Sequence, residues 1–193
     1  EDYDYLKRSH SRLRPGTVLT RDELLLLALM SSENRAAASL GRTFPGGTEA
    51  FVAAMNAKAQ VLGMTDSRFV DPTGLSSGNV SSASDLARMV AAAHEYPLIR
   101  RYSTTESATV QSLGRPLAYR NTNGLVRNAQ WEIGLSKTGY ISEAGRCLVM
   151  RVRMASREVI VVLLDSWGRL SRVGDANRIK KWLESSTAAG PRG

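Results

Sequence analysis

The apolar positions of this chain change their spacing along its length, and the changes mark its elements. Residues 1–20 are polar and basic, with a turn signal at Arg14-Pro15-Gly16-Thr17. Thr20-Arg21-Asp22-Glu23 then has the form of a capping box, in which the Thr20 and Glu23 side chains satisfy each other's backbone amides. The run Leu24–Met30 that follows is apolar on every face, which predicts a buried helix. Polar residues return at Ser31-Ser32-Glu33-Asn34, and a short helix over Arg35–Leu40 ends at Gly41. Phe51, Met55, Ala59 and Leu62 keep helical spacing within Thr48–Leu62 and stop at Gly63. Phe69–Leu75 is loop chemistry, and Ser82-Ala83-Ser84-Asp85 caps a further helix running to about His94.

Beyond residue 103 the spacing shortens. Ala108–Gln111 and Leu117–Arg120 read as short strands, and Trp131–Gly139 as a longer one. Arg146–Met154 alternates through Leu148, Met150, Val152 and Met154, the period of a strand with one face buried. Val159–Leu164 is continuously apolar, as expected of a strand buried on both faces. Ala155-Ser156-Arg157 is short enough to join these two as a hairpin. Leu170, Val173, Ala176, Ile179 and Leu183 form one stripe, predicting a C-terminal helix over Leu170–Glu184 that covers the sheet. Ser185–Gly193 reads as a flexible tail of small residues. Strands and helices segregated in this way predict an α+β fold in a single domain.

Composition narrows the chemistry. The 193 residues carry a net charge of +8, mostly from arginine. No basic block, aromatic-interleaved basic strip or zinc signature accompanies that charge, so a solvated basic surface is favoured over nucleic-acid binding. Cys147 is the only cysteine; set among Leu148, Val149 and Met150, it reads as a small core residue. His10 and His94 are the only histidines and lie far apart, which leaves a Ser-His-Asp triad or a histidine metal site poorly supplied. The longest apolar stretch is too short to span a bilayer. No signal peptide is visible, and a chain opening at Glu1 reads as a mature or trimmed product.

Two constellations remain. Ser32-Glu33-Asn34 follows the wholly apolar helix, which would fix two short polar side chains at a rigid edge; a plain C-cap is the alternative, since Asn tolerates the left-handed conformation. Lys137-Thr138-Gly139 lies on a predicted strand, where a compact ammonium does what guanidinium would not and Gly139 lets another backbone approach closely. An ordinary strand end is the alternative there.

Taken together and in this order, Ser-x-Asn and Lys-Thr-Gly resemble the second and third motifs of the penicillin-recognising serine enzymes, whose first is Ser-x-x-Lys. Leu24–Gly41, Met55–Leu75, Ser81–Met89, Asn121-Thr122-Asn123 and Lys137–Met150 extend the resemblance to the D-alanyl-D-alanine carboxypeptidase and endopeptidase family, over about residues 9–184. The resemblance implies an antiparallel sheet with packed helices plus a mainly helical lobe, the site at their junction. It implies a serine peptidase that cleaves D-alanyl bonds of peptidoglycan stem peptides and is acylated by β-lactam antibiotics, without metal or organic cofactor, in the bacterial periplasm after export. Ser32 would relay a proton between nucleophile and leaving amine. Asn34 would bind the substrate amide and orient the nucleophile's lysine. Lys137 would supply positive charge, Thr138 would bind the terminal carboxylate, Gly139 would leave room for substrate, and the Tyr140 amide would form half of an oxyanion hole. Asp71-Pro72-Thr73-Gly74-Leu75 is expected to be scaffold.

Three departures qualify that picture. No Ser-x-x-Lys occurs in the 193 residues, and only 31 precede Ser32. The nucleophile helix and first strands are therefore expected to be missing, the chain alone inactive, and the missing segment to act as a partner piece. Ile141 stands where many relatives place threonine or serine beside the carboxylate. The Ser-Ser-Glu-Asn form and the short region after the last helix resemble the penicillin-binding protein 7 type of endopeptidase. A class A-like β-lactamase and a catalytically inactive peptidoglycan-binding protein stay open as alternatives.

Overall fold

The computed structural model describes residues 11–188; His10 and the end of the expected tail, 189–193, lie outside them. Three helices come first among the described residues. The Thr20 capping box forms as expected and starts helix α1, Arg21–Ser31. Helices α2 (Asn34–Arg42) and α3 (Gly47–Val61) follow. Ser82 caps α4 (Ala83–His94) by accepting from the Asp85 amide. Helix α5 (Pro97–Ser103) was not anticipated; at seven residues it is too short to show a period. Strands β1 (Ser107–Ser112) and β2 (Arg115–Arg120) make a separate two-stranded hairpin. Strands β3 (Glu132–Ile141), β4 (Gly145–Met154) and β5 (Arg157–Ser166) form an antiparallel sheet in chain order. Helix α6 spans Ser171–Ala188, so the first residues of the expected tail are helical.

The sheet sits between helices on both faces. Leu148, Met150, Val152 and Met154 are buried, together with Val161, against Ala176 of α6. The other face places Leu135 and Val149 against Val90 of α4. Burying each such side chain stabilises by about 1.5–3 kcal/mol. The expected alternation of β4 therefore holds. The continuous run in β5 is only partly buried: Val161 is covered, whereas Ile160, Val162 and Leu163 are partly covered and Leu164 is exposed. The cause is position, because β5 pairs only with β4 among the described residues. An edge strand with helices on both faces needs apolar residues on both faces without being sealed at its rim.

A third core joins α1 to the small hairpin. Leu27 and Met30 are fully buried there with Val110 and Tyr119. The expectation that α1 is covered all round is not met: Leu25, Ala28 and Leu29 are only partly buried and line an open groove. Cys147 also departs from its expected place. It falls where the β4–β5 register shifts between Arg146 and Leu148, and its thiol is half-buried at a pocket wall rather than in a core.

Candidate active site

The end of α1 places the first motif. Ser32 adopts the left-handed conformation (φ 54°, ψ 42°), and its amide donates to Leu27 O. The helix thus stops on a non-glycine residue in a geometry that costs about 1–2 kcal/mol. The bland reading of the motif is half right: Ser32 is the C-cap, but Asn34 is not left-handed and instead begins α2. Glu33, buried between them, caps α2 by accepting from the Arg35 amide and also accepts from the Ser11 hydroxyl. The middle residue of Ser-x-Asn is therefore structural, and it turns its neighbours toward the sheet.

β3 presents the second motif. The Lys137 ammonium donates to the Ser32 hydroxyl, and to Thr138 O at 2.8 Å. An asparagine bracket fixes the distance between α1 and β3. The Thr122 amide donates to Met30 O at 3.1 Å, and the Thr138 hydroxyl donates to Thr122 Oγ1 at 2.6 Å. On either side of Thr122, buried Asn121 donates to Ser103 O and Thr105 O, and buried Asn123 donates to the Ser136 hydroxyl.

Ser32, Asn34, Lys137, Thr138, Gly139 and Tyr140, all expected from sequence, line one cleft of about 430 Å³. The same cleft holds three contributions the sequence did not reveal. Thr73, Gly74 and Leu75 form its third wall, so the loop expected to be scaffold also faces the site. Thr122 is part of the lining. Arg172 of α6 reaches in and donates to Gly139 O at 3.3 Å and Cys147 O at 3.2 Å. Only the docking of α6 distinguishes that arginine from the many others. A Cβ on Gly139 would meet Cys147 Cβ at 3.7 Å, with nothing else among the described residues beyond its chain neighbours within 4 Å. Ile141 is buried and lines a neighbouring pocket rather than this cleft, although alternation puts it on the same strand face as Lys137 and Gly139.

The electrostatics follow from this packing. Burial pushes the Lys137 ammonium down to about 8, and the nearby Arg172 guanidinium adds to the effect. Two cationic groups at one end of a polar cleft suit an anionic group such as a carboxylate. A lysine poised near neutral pH, in contact with a serine hydroxyl, can also assist proton transfer.

Residues 3–167 match the family described as D-alanyl-D-alanine carboxypeptidase. The chain belongs to this family. It is 51% identical over 177 residues to the D-alanyl-D-alanine endopeptidase of Pseudomonas aeruginosa, covering 91% of this chain and 57% of that protein. The D-alanyl-D-alanine endopeptidase of Escherichia coli is 48% identical over 182 residues, covering 93% and 59%. The chain thus spans under two thirds of the length of these relatives. Among solved structures, the Streptomyces K15 DD-transpeptidase superposes with a TM-score of 0.83 at 26% identity, over 94% of this chain and 74% of that one. The α+β arrangement is accordingly the D-alanyl-D-alanine carboxypeptidase family's own. Among the described residues, no helix is long and apolar enough to cross a membrane.

Proposed function

We propose that this chain supplies the substrate-binding and electrostatic part of a serine-type D-alanyl-D-alanine endopeptidase, which cuts crosslinks between peptidoglycan stem peptides in the periplasm and is acylated by β-lactams. The observation that carries the reading is the contact between the Lys137 ammonium and the Ser32 hydroxyl inside a cleft that also holds Arg172. Arg172 and Thr138 take the carboxylate on the leaving side of the bond. The Tyr140 amide receives the developing oxyanion, and Asn34 receives the substrate amide. Ser32 passes a proton toward the leaving amine, with Lys137 holding the positive charge that favours the transfer.

The attacking serine is proposed to come from a Ser-x-x-Lys helix outside these 193 residues, so that the chain alone does not acylate. Two features support this. The groove along Leu25, Ala28 and Leu29 opens directly onto Ser32 and Lys137, where such a helix would deliver its hydroxyl. The second edge of β5 is unpaired among the described residues and could accept a further strand. Mass spectrometry of the complete gene product after incubation with benzylpenicillin tests the proposal. One covalent adduct on a serine of a Ser-x-x-Lys sequence is expected, with none on the 193-residue chain alone. No adduct on the complete product, or an adduct on Ser32, overturns it.

A further inference from the structure

Thr122 lines the cleft but carries none of the roles proposed above. Its backbone is pinned along three consecutive residues. The Asn121 amide donates to Glu106 O at 2.8 Å, the Thr122 amide to Met30 O at 3.1 Å, and the Asn123 amide to Asn121 Oδ1 at 2.9 Å. The flanking side chains are tied as well: Asn121 donates to Ser103 O and Thr105 O, both at 2.9 Å, and Asn123 to the Ser136 hydroxyl at 2.8 Å. Both asparagines are buried, whereas the threonine between them is exposed. Two buried carboxamides therefore hold one exposed hydroxyl side chain at the cleft wall.

Counting hydrogens at the threonine pair gives that hydroxyl a task. Thr122 and Thr138 each own one hydroxyl hydrogen. Thr138 donates its hydrogen to Thr122 Oγ1 at 2.6 Å, and its side chain is the covered one, at 8% exposure. In this arrangement Thr138 has no hydrogen left for a substrate carboxylate. The Thr122 hydrogen has no acceptor among the described residues, and Thr122 shares the cleft with Lys137 and Arg172. A hydroxyl that accepts one hydrogen bond is polarised into a better donor of the next. We propose that Thr122 is a carboxylate-binding residue: Thr138 donates to Thr122, and Thr122 donates to the leaving-side carboxylate. The inference rests on the proposed peptidase function and refines its anchor, since the contribution of Thr138 then runs through Thr122 while Arg172 supplies the charge.

The test uses the complete gene product and two acyl-D-alanyl thioesters. Their leaving groups are thioglycolate, which carries a carboxylate, and propanethiol, which offers the hydroxyl nothing to reach; the activated acyl bond keeps both measurable. Thr122→Val should lower kcat/KM for the thioglycolate ester about tenfold, the scale of one charge-assisted hydrogen bond, and leave the propyl ester within about twofold. Thr122→Ala repeats the deletion with a smaller side chain, so the result does not depend on how valine is accommodated. Thr122→Ser keeps the hydroxyl and should restore the thioglycolate ester to within about threefold. Thr138→Val added to Thr122→Val should cost less than the product of the two single losses, because the pair acts as one unit. Equal losses on both esters would reduce Thr122 to a buttress and overturn the assignment, as would an unchanged thioglycolate rate. Benzylpenicillin separates the two readings. An adduct on the unaltered protein beside either of those outcomes overturns the Thr122 assignment alone, whereas no adduct overturns the peptidase and the assignment with it.

Discussion

The two walls of the cleft are held by different means. The β3 wall is one strand of a ladder: from Leu135 to Ile141 its residues pair in unbroken register with β4, and the sheet is covered on both faces. The wall opposite is irregular. Ser32 stands on a left-handed corner, and the loop from Asp71 to Ser76 has no ladder. Buried Asp71 and the partly buried Asn56 and Asn79 carry its backbone instead. Asp71 accepts from the Thr73 and Gly74 amides on one oxygen and from the Ser76 amide on the other; Asn56 and Asn79 serve the Phe69 and Val70 amides. A ladder distributes its support over many equivalent bonds, whereas the loop concentrates it in a few carboxylate and amide groups. Single substitutions should therefore be felt very unequally across the cleft.

The bond that spans the two walls gives the largest expected effect. Replacing Lys137 with alanine should slow benzylpenicillin acylation of the complete gene product by about 10²–10³-fold, the usual scale for losing one preorganised electrostatic group. The pH profile sharpens this. With the ammonium pulled down to about 8, acylation should fall as pH rises through that value and the charge is lost. Arg172→Ala removes a neighbouring cation and should move this limb to higher pH. Stability should move the other way. Between about 8 and the ordinary lysine value of 10.5 the unfolded chain binds the proton that the native chain has released, so Lys137 contributes a rise in stability with pH across that window. Lys137→Met should flatten the rise. An unchanged basic limb in Lys137→Arg, whose charge persists, would break the assignment.

Asp71 tests the irregular wall next. Its carboxylate is buried and serves three backbone amides and the Thr73 hydroxyl. Asp71→Ala leaves those donors without their acceptor and should cost about 3 kcal/mol in denaturant unfolding. Acylation should fall as well, since Thr73 and Gly74 line the cleft. A loss below about 1 kcal/mol would mean that the loop is supported by something other than this carboxylate.

Sequence legibility divides along the same line. The capping box at Thr20, the cap at Ser82, the alternation of β4 and the cluster 137–140 each follow from neighbours within a few positions, and each stands where expected. What escaped depends on distant docking. Arg172 is one arginine among many until α6 lies across Gly139 and Cys147. The Asn121–Asn123 bracket gains its role only when Met30 and Thr138 meet it from opposite sides. Ile141 lines the neighbouring pocket with Leu86 and Asn79, a placement set by the docking of α4 and the preceding loop rather than by nearness to the motif. The partial cover of α1 could not be read either, since an all-apolar helix announces that it needs partners without saying which are at hand. Helix α5 did leave one signal, Pro97 at its first turn.

The smallest effect belongs to the regular wall. The β4–β5 turn places Ala155 (φ 49°) and Ser156 (φ 61°) both in the left-handed region, the geometry for which Asn-Gly is the favoured pair. Alanine and serine resist that conformation through their Cβ atoms, whereas asparagine tolerates it and glycine has no Cβ to clash. The double substitution Ala155→Asn with Ser156→Gly should therefore stabilise by about 1 kcal/mol, read as a higher denaturant midpoint with an unchanged slope. The acylation rate should not move, because the turn lies beyond Met154 while Lys137 pairs with Val149 in the middle of the ladder, and the register between them stays fixed by the pairing itself. A change in acylation comparable to that of Asp71→Ala would show that the ladder transmits strain along its length, and would erase the contrast between the two walls.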